Sequence, residues 1–256
     1  MKKKILITAA VMLILAVAGG GIFTVVSGSL SKGNLPRYLP EKMQVNEDSP
    51  VKGKKVIFLG SSVTEGYSAL GKSFVDFLER RDGITAVKEA VSGTTLADTG
   101  KNSYVSRLKK IEKSDDVFCF ICQLSTNDAN KDIPLGGVSD SRNINDFDTS
   151  TVAGAIEFII AYAKENFNCP AAFYTGTRYD SENYAKMVDL LYEIRAKWNI
   201  DIIDLWNSEK MNAVTDEDYD LFMADPVHPT LAGYGLWWLP EFENYLFNLS
   251  EKENSR

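Results

Sequence analysis

The sequence predicts an α/β fold in which one five-stranded parallel sheet is covered by helices on both faces, a three-layer α/β/α sandwich. Three observations predict it. From Lys55 onward, short apolar runs alternate with amphipathic helical patterns. One run, VFCFICQL at 117–124, is apolar almost without interruption, as a central strand covered on both faces must be. Finally, 256 residues of which 45% are hydrophobic and 11% aromatic suffice to bury one sizeable core, so a disordered or fibrous chain is excluded.

Taken in order, the chain opens with Lys2, Lys3 and Lys4 and an apolar run at 5–26. Twenty-two residues at helical rise span about 33 Å, enough for the ~30 Å hydrocarbon core of a bilayer. The small-residue string AVAG at 16–19 would suit signal cleavage, but the apolar run continues past it through Ile22, Phe23, Val25 and Val26. Residues 1–30 are therefore expected to be a retained membrane anchor, with secretion after cleavage as the alternative. The lysines keep the N-terminus cytoplasmic and the bulk of the chain outside. Residues 31–54, rich in proline and mixed charge without periodicity, are expected to be a tether.

The domain is expected over 55–250. VIFLG at 56–60 reads as a strand and KSFVDFLERR at 72–81 as an amphipathic helix. TAVKEAV at 85–91 is a strand, SYVSRLKKIEK at 103–113 a helix, and VFCFICQL the third strand. TVAGAIEFIIAYAKENF at 151–167 is a helix, AAFYTG at 171–176 a strand, ENYAKMVDLLYEIRAKW at 182–198 a helix and IDIIDLW at 200–206 the fifth strand. The last pattern, 231–249, is a helix that Pro240 should kink or interrupt. Strand period two sends Cys119 and Cys122 to opposite faces, so the formal CxxC is buried packing and not a redox pair. Three cysteines form no disulfide framework.

Charge narrows the partners. The formal net charge is −7, and outside the first thirty residues 25 basic residues face 35 acidic ones. Such a surface repels phosphate backbones, so nucleic acid is not an expected partner.

Chemistry gathers where the strands end. GSSVTEG at 60–66 follows the first strand, SGTT at 92–95 the second, STND at 125–128 the third, and DPVHP at 225–229 lies some distance after the fifth. In parallel sheets, sites form at the carboxyl ends of strands. The chain has one histidine, His228, so an activated serine has a single candidate base. Ser62 needs that base to take its proton, and Asp225, three residues before the histidine, can hold the imidazole tautomer. Backbone N–H groups of Ser62 and Gly93 and the Asn127 amide can supply donors to an oxyanion, and Gly93 has no Cβ to block a close approach.

These four fragments, in this order and on this framework, resemble the SGNH (GDSL-type) hydrolase family, over about residues 55–246. The resemblance implies the flavodoxin-like SGNH hydrolase fold. It makes Ser62, third in the Gly60-Ser61-Ser62 string, the nucleophile, with Gly93 and Asn127 in the oxyanion hole and Asp225 and His228 completing the triad. Two positions depart from the family pattern. Ser61 stands where the family has an aspartate, removing a carboxylate from beside the nucleophile. Ser125 stands where it has a glycine, adding a side chain that would narrow the oxyanion hole or shift Asn127.

A rival motif overlaps the first block. GYSALGKS at 66–73 satisfies the phosphate-loop pattern, yet it starts six residues after the strand ends and no strand closing on a well-placed aspartate follows the third. The DEDYD run at 216–220 lacks the glycine and closing glutamate of a calcium loop. No metal cluster or cofactor is expected. Tyr67, Arg178 and Tyr179 follow strand ends and are expected to line the substrate cleft.

The sequence therefore reads as an extracytoplasmic, membrane-tethered serine esterase. It removes a small acyl group, acetyl for instance, from a carbohydrate or cell-envelope glycan. The acyl chemistry follows from the constellation; the glycan follows from location and from what the resemblance implies. A lipid or lysophospholipid esterase and an O-acyltransferase would use the same triad. A glycan-binding module with a decayed site is the reading from another class.

Overall fold

The computed structural model describes residues 31–255. The expected anchor, residues 1–30, lies outside the described residues, and among the described residues no helix is long and apolar enough to cross a membrane.

Five parallel strands form the sheet: β1 (Lys55–Gly60), β2 (Thr85–Ala90), β3 (Cys119–Gln123), β4 (Ala171–Tyr174) and β5 (Asp201–Ile203). Their spatial order is β2-β1-β3-β4-β5. The order reverses between β1 and β3, so the crevice for a ligand opens at the carboxyl ends of those two strands. Alternation along β1 divides the core. Ile57 and Leu59 join Phe120, Cys122 and Phe173 under the helices α5 (Val152–Phe167) and α6 (Glu182–Trp198). Val56 and Phe58 join Cys119, Ile121 and Tyr174 under α2 (Phe74–Asp82) and the C-terminal helix. Cys119 and Cys122 thus lie in opposite layers, both buried and unpaired, as period two predicts. Phe74 anchors the second layer, stacked on Phe242 with ring centroids 3.8 Å apart and edge-on to Tyr174 at 5.2 Å.

Five short helices sit at the strand ends or beyond them: α1 (Ser62–Glu65), α3 (Tyr104–Leu108), α4 (Thr126–Asn130) and, after β5, α7 (Glu209–Asn212) followed by α8 (Asp216–Phe222). The final helical region opens as a π-helix at Gly233–Trp238 and becomes regular at α9 (Leu239–Asn254). Pro240 lies in the first turn of α9, where its missing N–H is not needed, so the interruption expected there is met by the change of helix type just before it.

Residues 31–54, expected as a tether, are laid against the domain. Three 3-10 turns, Lys32–Asn34, Pro36–Tyr38 and Pro40–Lys42, carry the chain from α8 to α2, with Asn34 and Val51 buried. Ser250 Oγ donates to Pro50 O at 3.0 Å, and Asn46 N donates to Arg81 O at 2.7 Å. Turns initiated by proline have no helical or strand period, which is why the sequence pattern reads as a linker.

Candidate active site

β1 ends on Gly60, and there is no room at that position for anything larger: a Cβ would lie 1.7 Å from Thr64 Oγ1. The tight turn sets Ser62 at the start of the single helical turn α1, where first-turn N–H groups have no intrahelical acceptor. The turn is fixed from beneath. Gln123 Oε1, at the end of β3, accepts from Ser61 N and Thr64 Oγ1, both at 2.9 Å. Thr64 Oγ1 also lies 2.6 Å from the Tyr174 hydroxyl, and the Tyr234 hydroxyl donates to Val63 O at 2.6 Å.

Ser62 Oγ lies 2.8 Å from His228 Nε2. On the other side of the ring, Nδ1 is 2.8 Å from Asp225 Oδ2 and 2.9 Å from Oδ1. A carboxylate facing Nδ1 places the imidazole proton there and leaves Nε2 free to accept from the serine hydroxyl. Asp225 Oδ1 also accepts from the backbone N–H of Val227 at 2.8 Å and of His228 at 2.9 Å, so acid and base are held in one turn. Partial burial pulls the Asp225 carboxyl upward, but the hydrogen bond and charge of His228 and these two N–H groups outweigh it. The carboxyl is left below the usual aspartate range.

The loop after β2 brings Gly93 to the same cleft. Its φ of +76° is left-handed, a conformation glycine adopts without strain. Four side chains bolt this loop down. Glu65 accepts from Ser92 N at 2.7 Å and from the Ser92 hydroxyl. Lys131 Nζ donates to Gly93 O at 2.7 Å. Asp128 accepts from Leu96 N at 2.7 Å and Ala97 N at 2.9 Å, while burial raises its carboxyl above the ordinary range. Arg107, buried, donates to Gly60 O at 2.7 Å and Thr94 Oγ1 at 3.2 Å, tying β1 to the loop.

Asn127 Nδ2 donates to Thr94 O at 3.0 Å and to Ser61 Oγ at 3.2 Å. Both amide hydrogens are therefore engaged, and the longer bond, to Ser61, is the one an oxyanion would replace. Ser61 thus supplies an acceptor beside Asn127 where the family pattern has a carboxylate. Ser125 does not crowd the cleft as expected; it is fully buried and caps α4, its Oγ accepting from Asn127 N at 3.2 Å.

The cleft has a volume of about 360 Å³ and holds Ser62, Gly93, Asn127, Asp225 and His228 together. Tyr67 lines it as expected, its ring 5.6 Å from that of His228. Arg178 and Tyr179 do not line it. The Arg178 guanidinium lies 5.7 Å over the Trp206 ring, and Tyr179 packs edge-on to Trp206 at 5.6 Å, beyond the end of β4. Following a strand end put them on the correct rim, but both side chains pack on Trp206, away from Ser62 and His228. Ser92, Thr126, Asn130 and Val227 also line the cleft and were not singled out from the sequence, although each is within three residues of one that was. The phosphate-loop match fails on geometry: the start of α2 is closed by its own capping box, Ser73 with Asp76, which places a carboxylate where a phosphate would sit.

Comparison with known proteins gives the same family from an independent direction. The model of the GDSL-like Lipase/Acylhydrolase family matches residues 58–236. No curated protein sequence matches the chain. Among solved structures, a protein from Lactobacillus plantarum superposes with a TM-score of 0.64 at 18% identity, over 77% of this chain and 97% of its own. A "possible lipase" from Chitinophaga pinensis gives 0.61 at 14% identity, over 76% and 98%. The acetyl xylan esterase AlAXEase gives 0.50 at 14% identity, over 75% and 98%. At these identities the likeness establishes a shared fold.

Proposed function

Since the chain belongs to the GDSL-like Lipase/Acylhydrolase family and is an ester hydrolase of the SGNH type, we propose that it removes a small acyl group, acetyl in the simplest case, from a carbohydrate or cell-envelope glycan outside the cytoplasm, tethered by residues 1–30. The observation that carries the catalytic part is the Ser62 Oγ to His228 Nε2 contact of 2.8 Å, backed by Asp225.

In this reading Ser62 Oγ attacks the ester carbonyl while His228 Nε2 takes its proton. The tetrahedral oxyanion accepts from the N–H groups of Ser62 and Gly93 and from the Asn127 amide. His228 then returns the proton to the leaving sugar oxygen, and the Ser62 acyl ester remains. Water, deprotonated by the same imidazole, releases the acid and restores the serine. Asp225 stabilises the imidazolium in both steps. Ser92, Thr126 and Asn130 offer hydrogen bonds to a hydroxylated acceptor, and the apolar part of the cleft, with Tyr67 and Val227, has room for a short acyl group. A shared fold with an acetyl xylan esterase is consistent with that reading.

The test is a panel of O-acetylated glycans beside p-nitrophenyl esters of increasing acyl length, with Ser62→Ala as control. The proposal expects acetate release from a glycan and a kcat/KM that falls as the acyl chain lengthens. Preference for long-chain or phospholipid esters would replace it with a lipid esterase, and acyl transfer to a sugar hydroxyl with an acyltransferase. Glycan binding without turnover or serine labelling would leave a binding module.

A further inference from the structure

We propose that Asn34, upstream of the region the family model matches, is a positioning residue of the active site that keeps the serine loop and the histidine segment in register. The inference rests on the Ser62–His228 reading above.

Asn34 ends the first 3-10 turn, which Ser31 caps by accepting from Gly33 N, and it is only 6% exposed. Its Nδ2 donates to Ser68 O at 2.7 Å, and its Oδ1 accepts from Leu231 N at 2.8 Å. These two partners belong to the two halves of the catalytic pair. Ser68 sits in the 66–72 loop that leaves α1. That loop is folded tightly on the serine: Tyr67 N donates to Ser62 O at 3.0 Å, and Gly66 O accepts from Ala69 N at 2.9 Å and Gly71 N at 3.0 Å. Leu231 comes three residues after His228, in a segment held to α8 by Thr230 Oγ1 donating to Leu221 O at 2.7 Å and Ala224 N donating to His228 O at 2.9 Å.

One buried amide therefore bridges the chain that carries the nucleophile and the chain that carries the base. Tyr234, through Val63 O, makes a second bridge between the same two regions from inside the family-matched part. Neither segment is a strand of the sheet, so the sheet itself does not fix their separation. Proton transfer between Oγ and Nε2 depends steeply on that separation, and a misplacement of about 1 Å can cost up to about a hundredfold in rate. The phosphate-loop-like string at 66–73 thus acquires a structural use: its Ser68 carbonyl is the handle by which the N-terminal turns hold the loop.

The experiment compares Asn34→Ala and Asn34→Asp in the full chain. The alanine removes both bonds; the aspartate keeps an acceptor for Leu231 N but sets a carboxylate oxygen against Ser68 O. Because His228 is the sole histidine, its imidazole signals in ¹H–¹⁵N spectra need no assignment. The expected result for Asn34→Ala, measured below its melting transition with p-nitrophenyl acetate, is a fall in kcat of about tenfold. KM should stay within about twofold, and the Nδ1–H signal should shift or broaden. Asn34→Asp should fall between it and the parent, and Arg37→Ala, on the exposed side of the next turn, should match the parent. A folded Asn34→Ala with parental kcat and an unmoved imidazole signal overturns the proposal, as does a change confined to KM or melting temperature. If the alanine variant does not fold, Asn34→Asp decides by the same two readouts. Activity surviving in Ser62→Ala would instead overturn the catalytic reading beneath.

Discussion

Asp225→Asn is the substitution whose consequence the geometry defines most sharply. Asp225 Oδ1 accepts from two backbone N–H groups, those of Val227 and His228, at 2.8 and 2.9 Å. An asparagine must keep its carbonyl oxygen there, because an amide NH₂ would face two donors. Its NH₂ then falls where Oδ2 was, 2.8 Å from His228 Nδ1, and donates to it. Donation from that NH₂ favours the tautomer with the imidazole proton on Nε2, pointing at Ser62 Oγ, over the one in which Nδ1–H still donates to the carbonyl oxygen 2.9 Å away, and the base is blocked while every heavy atom stays in place. A wrong-tautomer block in such a triad costs kcat about 10⁴-fold, or ~5.5 kcal/mol. The assay is steady-state hydrolysis of p-nitrophenyl acetate, with the melting temperature as a check on folding. A loss of less than about tenfold in a folded Asp225→Asn protein would refute the argument that Asp225 sets the tautomer.

Three further outcomes follow from neighbouring contacts. Asn127→Ala removes an oxyanion donor and should lower kcat by about 10²–10³ with KM little changed; an unaltered kcat in stopped-flow turnover would exclude the amide from the oxyanion hole. Gly60→Ala drives a Cβ to 1.7 Å from Thr64 Oγ1 and should destabilise the domain by about 3 kcal/mol, read as a drop in the denaturant midpoint. Burial, with the Asp82 carboxylate beside it and Arg81 opposing, pushes the Glu243 carboxyl up to about 7 from an ordinary 4.5. A carboxyl raised in the folded state binds its proton more tightly there than in the unfolded chain. Its contribution is therefore complete below about pH 4.5 and lost as pH rises through about 7, on the order of 1–3 kcal/mol. Glu243→Gln should flatten that part of the stability profile, and an unchanged slope would dismiss the assignment.

The sheet was legible because a buried parallel strand has no polar option: VIFLG, VFCFICQL and AAFY admit one pattern of burial, and the chemistry-bearing turns follow from where they stop. The cleft residues were legible for the same reason, along with the rarity of histidine. What escaped is held by contacts distant in sequence. Arg107 reads as one more base in the helix SYVSRLKK, and only the fold shows that its guanidinium is buried against Gly60 O. Glu65 and Asp128 read as ordinary acids near helix ends, whereas each clamps the loop that presents Gly93. Asn34 lies in a proline-rich stretch with no period, and its partners are Ser68 and Leu231. Arg178 and Tyr179 show the converse: position after a strand end puts a residue on the rim, but whether it faces the cleft is set by its packing, here against Trp206.

The most direct measurement is active-site labelling with a fluorophosphonate, followed by peptide mass spectrometry. The account predicts one adduct per chain, on Ser62, absent in Ser62→Ala and strongly slowed in His228→Ala. An adduct on another residue, or labelling that persists unchanged without the His228 imidazole, would contradict it.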